Sequence, residues 1–208
     1  MGNQTPTDRM FEGLEGADLP DDVRAALDQL ANENALLRAS QAEMRERVGA
    51  LEEQADGDTV TPLPNRRRFL AELDRVASFV NRHGTSAALL HIDLVGLKAI
   101  NAGYGRLGGD AALIHVARLL LRLIRTSDVL ARIGGDEFGL ILDHLDHNSA
   151  IETADRLARC IAESPLEIGG AEVRVAATIG IATIMAGDTV EDVLDRAERN
   201  LCRAKSGD

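Results

Sequence analysis

Aromatic side chains are almost missing from this chain: four Phe, one Tyr and no Trp in 208 residues. Proteins that track single strands stack bases on aromatic rings, and those that grip a phosphate backbone show a basic surface. A formal net charge of −11 supplies neither, so nucleic acid is not an expected partner. Cysteine is scarce too. Cys160 and Cys202 fall in helix-like segments without metal-ligand spacing, which reads as free thiols in a reducing compartment. No apolar run is long enough for a bilayer and no secretory signal is visible, so a soluble, cytoplasmic protein without membrane insertion is expected. His91, His115, His144 and His147 lack the spacing of a metal cluster and read as structural or surface residues. What is present is 45% apolar residues, enough to fill the core of one domain that carries an accessory segment.

Residues 1–18 are polar and aperiodic, and disorder is expected there. From Leu19-Pro20-Asp21-Asp22 a helix start gives way to a stretch rich in Ala, Leu, Glu, Arg and Gln. Val23, Leu30, Leu37, Met44 and Leu51 recur every seven residues, with Leu27, Asn34, Gln41 and Val48 as the companion set. This heptad seam predicts a parallel, dimeric coiled coil over residues 19–57, its register fixed by Asn34 at an a position. A single amphipathic helix docked on its own domain is the other reading. Pro62 and Pro64 then impose extended or turn structure, which marks a boundary before a globular segment, 58–208.

That segment alternates strand and helix patterns, so an α/β layered domain is expected. A helix is predicted over 66–81. Ser86 to Asp93 reads as a buried central strand with an acid at its end. Gly103 to Gly109 reads as a glycine-rich loop, and Asp110 as the cap of a helix over 111–125. Ala131 to Leu142 contains Gly134-Gly135 between two apolar runs, a tight hairpin in which glycine would supply positive φ. It delivers Asp136 and Glu137 to a strand, a carboxylate pair suited to holding a hard cation against a phosphate. By itself such a turn reads equally as a solvated surface loop. Further along, a helix over 148–163, a turn over 165–170, one strand over 173–184 and a final helix over 189–204 are predicted.

Several ordered motifs occur together: Asp58-x-x-Thr61-x-Leu63-Pro64-Asn65-Arg66-Arg67, then Ile92-Asp93 with Lys98-x-Ile100-Asn101 and Gly109-Asp110, then Arg132-x-Gly134-Gly135-Asp136-Glu137-Phe138, then Ile179-Gly180 and Ala204-Lys205. In that order they resemble the diguanylate cyclase family, whose domain is named for its Gly-Gly-Asp-Glu-Phe turn. The resemblance covers about residues 58–205. It implies an α+β, palm-like nucleotidyl-cyclase fold with a central, mainly antiparallel sheet flanked by helices. It also implies condensation of two GTP into cyclic di-GMP with release of two pyrophosphates, each domain of a homodimer supplying half the site. By position, Asp93, Asp136, Glu137 and the Leu94 carbonyl would hold two Mg²⁺, with Mn²⁺ as a substitute, and Glu137 would assist as base. Asn101 and Asp110 would read the guanine edge. Lys98 and Lys205 would offset phosphate charge, and Gly96, Leu97, Gly134 and Gly135 would let the nucleotide approach the backbone. Arg125 and Asp128 match the family's product-inhibition motif, so cyclic di-GMP is expected as inhibitor as well as product.

The chain also departs from the family pattern. Val95 replaces the second Asp of an Asp-x-Asp, Gly96-Leu97 stand where Phe is common, Ala102 replaces an Asp, Arg106 a His and Pro62 a Gly. Loss of the acid at Val95 is expected to weaken the metal shell and lower activity. A non-catalytic domain that binds GTP or cyclic di-GMP as a receptor or dimeric scaffold is therefore the alternative.

Overall fold

The computed structural model describes residues 20–206, without the side chains of 46 and 48–54. The disorder expected over 1–18 and the heptad positions Val48 and Leu51 lie outside the described residues. The chain forms two compact units that part after Glu52. The first unit is carried by helix α1 (Asp21–Asp56), which continues into the second. Val23, Leu30, Leu37 and Met44 are exposed along it, as is Leu36 outside the heptad set. Asn34 donates its side-chain amide to the Leu30 carbonyl one turn back, at 3.2 Å.

The second unit runs α2 (Arg66–His83), β1 (Ala87–Val95), α3 (Leu97–Leu123), β2 (Val129–Arg132), β3 (Glu137–Asp143), α4 (His147–Glu163), β4 (Leu166–Ile168), β5 (Ala171–Val173), β6 (Ala176–Ile184) and α5 (Val190–Ser206). Four strands form one antiparallel sheet in the order β2-β3-β1-β6, and β4-β5 form a separate hairpin. Central strand β1 is buried on both faces because its alternate residues enter two different cores. Ala88, Leu90, Ile92 and Leu94 pack with Leu113, Val116 and Leu120 of α3 and Ala154, Leu157 and Ile161 of α4. Ala87 and Leu89 pack instead with Phe69, Leu73 and Val76 of α2 and Val193 and Ala197 of α5.

Both ends of the helices are set locally. Asn65 caps α2 through the Arg68 amide, and Gly84 in the left-handed region closes it. Asp146 caps α4 through the Ser149 amide, so this helix begins one residue before the predicted start. Two glycines on the α2/α5 face exist for closeness, not conformation. A Cβ at Gly139 would strike the Phe69 ring, and one at Gly180 would strike the backbone of α5 at Ala197 and Leu201.

Three expectations are corrected. Asp110 does not open a helix: α3 begins at Leu97 and runs through the glycine-rich stretch, leaving helical geometry only at Gly105 (φ 71°, ψ 178°). Gly108 and Gly109 lie within the helix, and the Tyr104 and Asn101 side chains occupy the space where their Cβ atoms would be. The region 165–184 is a short hairpin turning at Gly169-Gly170, both at positive φ, followed by a separate strand from Ala176. Gly134 and Gly135 do not take positive φ. The hairpin has a four-residue connection in which the amides of Ile133 and Gly134 both donate to the Glu137 carbonyl, at 2.9 and 3.2 Å, and Gly134 is small because the Glu137 side chain covers it.

These contacts rank glycine substitutions. Gly180→Ala drives a methyl into helix backbone that cannot rotate away, and should cost on the order of 3 kcal/mol. Gly135→Ala meets nothing within 4 Å and should be near neutral. Urea-denaturation midpoints of the two variants would check the ranking, and equal midpoints would refute it.

Candidate active site

The strand register brings the acids together. Asp93 lies opposite Glu137 in the β1/β3 ladder, and the Leu94 amide donates to the Asp136 carbonyl at 3.0 Å. Asp93 is buried, and a buried carboxylate needs a countercharge. Lys205, in the last turn of α5, supplies it with Nζ at 2.9 and 2.7 Å from the two Asp93 oxygens. The hydrogen bond to Asp93 holds the Lys205 ammonium above its ordinary pKa.

Asp93, Leu94 and Asp136 line one cavity of about 540 Å³ with Gly96, Leu97, Lys98 and Lys205. Gly96 caps α3 at φ 94° with no side-chain bond. The first intrahelical bond is Ile100 to the Gly96 carbonyl, so the amides of Leu97, Lys98 and Ala99 have no acceptor within the helix, the usual anion-binding end. A second cavity of about 280 Å³ is lined by Asn101, Asp110 and Gly135, and it shares Leu97, Lys98 and Asp136 with the first. Gly109 has no Cβ because the Asn101 amide sits over it.

Glu137 and Gly134 line neither cavity. The Glu137 carboxylate turns toward His91, Oε1 to Nε2 at 3.5 Å. His91, between Gly139 and Gly180 in the ladders, is buried with no hydrogen bond on either ring nitrogen. Burial lowers its pKa against the opposing pull of Glu137, Glu198 and Asp93. Asp93, Asp136 and the Leu94 carbonyl are hard oxygen donors of the kind that fit Mg²⁺. Among the described residues, no three His, Cys, Asp or Glu side chains gather into a metal-binding group, so the fit rests on two carboxylates and backbone.

Arg125 and Asp128 lie elsewhere, in a cavity of about 640 Å³ with Arg68, Glu72, Arg75 and Asp143, which shares no residue with the other two. The Asp128 carboxylate accepts the Arg125 amide at 2.9 Å.

Sequence reasoning quoted Asp58 and Arg132 without giving them a role. Arg132 Nη1 contacts both Asp58 oxygens, at 3.1 and 3.3 Å, and its Nη2 donates to the Gly135 carbonyl at 2.7 Å. Asp58 also accepts the amides of Val60 and Thr61 and the Thr61 hydroxyl. The turn after α1 and the acid-bearing hairpin are thus tied by one guanidinium. An Arg just before the glycine pair and a distant Asp were the available signal, but nothing in linear spacing pairs them. Arg106 was noted only as a departure, and it lines the second cavity.

Residues 55–208 match the family described as "Diguanylate cyclase, GGDEF domain". The chain belongs to the diguanylate cyclase family. It is 34% identical over 170 residues to diguanylate cyclase TpbB of Pseudomonas aeruginosa, covering 81% of this chain and 37% of that protein. It is 39% identical over 142 residues to the probable diguanylate cyclase DgcE of Escherichia coli, covering 68% of this chain and 13% of that one. Among solved structures, the coiled coil and GGDEF domain of DgcB from Caulobacter crescentus in complex with c-di-GMP superposes with a TM-score of 0.75 at 25% identity, covering 86% and 95% of the two chains. Diguanylate cyclase SiaD from P. aeruginosa, in complex with its activator SiaC, gives 0.73 at 27% identity, covering 96% and 76%. The chain spans well under half the length of these curated relatives. The antiparallel sheet flanked by helices, with a long helix before it, agrees with the α+β expectation.

The Asp58–Arg132 tie of this GGDEF domain carries a pH signature. Burial alone would raise the Asp58 carboxyl, but hydrogen bonds from Thr61 and Arg132 outweigh it and hold it below its ordinary 3.8. A depressed carboxylate stabilises the fold above its unfolded pKa and loses that contribution as pH falls through the folded value. Asp58→Asn should therefore cost about 1–3 kcal/mol at pH 7, with the gap to the parent closing below about pH 3.8. Urea unfolding at pH 7 and pH 3 would measure it, and a gap independent of pH would refute the assignment.

Proposed function

We propose that the chain is a diguanylate cyclase that condenses two GTP into cyclic di-GMP and two pyrophosphates across a homodimer. The observation that supports this most is the pair of adjoining cavities: Asp93 and Asp136 in one, Asn101 and Asp110 in the other, meeting at Leu97, Lys98 and Asp136. A nucleotide laid across them has its base against Asn101 and Asp110, where a carboxylate accepts from the guanine N–H groups and disfavours adenine. Its triphosphate meets the α3 amides, Lys98 and Lys205. Asp93, Asp136 and the Leu94 carbonyl would hold the divalent ions, two per half-site, which supply Lewis-acid activation of the α-phosphate when bound. Glu137, opposite Asp93 in the register, is assigned the adjoining role of base or metal-shell ligand.

One domain offers one 3′-hydroxyl and one α-phosphate, so the reaction needs a second copy facing it. The exposed seam of α1 fits a parallel coiled coil that raises the effective concentration of one half-site at the other. Use of GTP would suit a cytoplasmic location. A second reading, a non-catalytic GTP or cyclic di-GMP receptor, is favoured by Val95, which presents an apolar, half-exposed side chain at the Asp93 cavity.

Incubation with GTP and Mg²⁺, followed by chromatography, should yield cyclic di-GMP, and Asp136→Asn should lower turnover by roughly a hundredfold or more. No product from folded protein that still binds GTP would establish the receptor reading instead. The Arg125–Asp128 cavity is assigned to product inhibition, because a guanidinium can bind guanine or phosphate bidentately. Added cyclic di-GMP should slow the parent chain, while Arg125→Ala keeps its basal rate and loses the response. A parent rate undiminished at saturating product removes this assignment.

A further inference from the structure

The second cavity holds a cation without a partner. Gly105 breaks α3, and where the helix resumes, Arg106, Asp110 and Leu113 stand at i, i+4 and i+7 on one face, all lining the cavity. Asn101 and Lys98 face them from the first half of the helix. Of the cations there, Lys98 is shared with the Asp93 cavity, and the Arg132 guanidinium is taken by Asp58 and Gly135. Arg106 lines the cavity of Asn101 and Asp110 and not the Asp93 cavity, and among the described residues its side chain makes no hydrogen bond or ion pair, not even with Asp110 one turn away.

We propose that Arg106 is a specificity-determining residue of the nucleotide site, donating to the O6 and N7 edge of guanine. The proposal rests on the guanine-nucleotide reading given above. Guanine carries two kinds of edge side by side. N1–H and the 2-amino group are donors and suit the Asp110 carboxylate, while O6, next to N1 on the ring, and N7 beyond it are acceptors. A donor fork one turn from the carboxylate faces that second edge, and the guanidinium matches the spacing of O6 and N7 bidentately. Adenine has an amino group at the position of O6, so the same fork repels it. Negative and positive groups i and i+4 apart thereby read opposite halves of one base.

Calorimetric titration of the full chain with GDP, 7-deaza-GDP and ADP tests this without turnover, since none of the three can release pyrophosphate. The parent protein should bind GDP on the order of tenfold more tightly than 7-deaza-GDP, which lacks the N7 acceptor, and more tightly still than ADP. Arg106→Ala, an exposed substitution, should weaken GDP more than 7-deaza-GDP, so that the gap between them closes. Equal weakening of both would mean a phosphate contact and overturn the proposal, as would unchanged GDP affinity. A parent protein that binds GDP but ignores the loss of N7 removes the Arg106 assignment and leaves the nucleotide site standing. Failure to bind GDP or GTP at all removes both.

Discussion

The register between β1 and β3 is the constraint on which the site depends. Leu94 and Asp136 share a backbone hydrogen bond, which sets Asp93 opposite Glu137 and leaves Asp136 at the end of the hairpin connection. Because strand side chains alternate, a slip of one residue would carry Asp93 to the face now occupied by Leu94 and drive an acid into the α3/α4 core. An unpaired carboxylate in that apolar layer is the penalty that disfavours the slip. The cost of burying Asp93 among Leu113, Val116 and Leu120 therefore helps to hold the two carboxylates to one cavity.

The hairpin needs a second restraint, since a four-residue connection at a sheet end is free to bend. Arg132 provides it by gripping Asp58 with one nitrogen and the Gly135 carbonyl with another, and the Arg132 amide bonds the Pro64 carbonyl as well. Both side chains are largely buried, so this pair is less screened than an exposed ion pair. Asp58 in turn is fixed by three donors within its own turn, and Asn65 ties that turn to the Ala55 carbonyl at the end of α1. Within the second unit, a chain of hydrogen bonds thus runs from Ala55 to the glycine pair beside Asp136.

Much of this was legible from residues alone. The apolar run ending at Asp93, the hairpin acids and the two helices expected over 66–81 and 148–163 follow from residue patterning, and the helices lie within two residues of those bounds. The glycine-rich stretch misled because glycine has two uses: at Gly105 it allows positive φ, whereas at Gly108 and Gly109 it yields space to Tyr104 and Asn101, which only the folded helix shows. The same ambiguity affected Gly134, where room for Glu137 rather than backbone freedom decides. The resemblance to known cyclases gathered Asn101, Asp110, Asp93 and Asp136 into one list, yet neither it nor spacing indicated that Glu137 would turn to His91 and line neither cavity.

In a chain of net charge −11, the two adjoining cavities gather several cationic groups. Lys98 stands where the two cavities meet, Lys205 reaches in from α5, Arg106 borders the second cavity, and the unpartnered amides of α3 add partial positive charge between them. Lys205 is already engaged with Asp93, so its charge first serves the fold by neutralising a buried acid. A ligand that brings its own cations to Asp93 frees that ammonium for phosphate. On the proposed function, attraction for the nucleotide would in this way be conditional on its counterions, so that an acidic protein could hold an anion without carrying a standing basic patch.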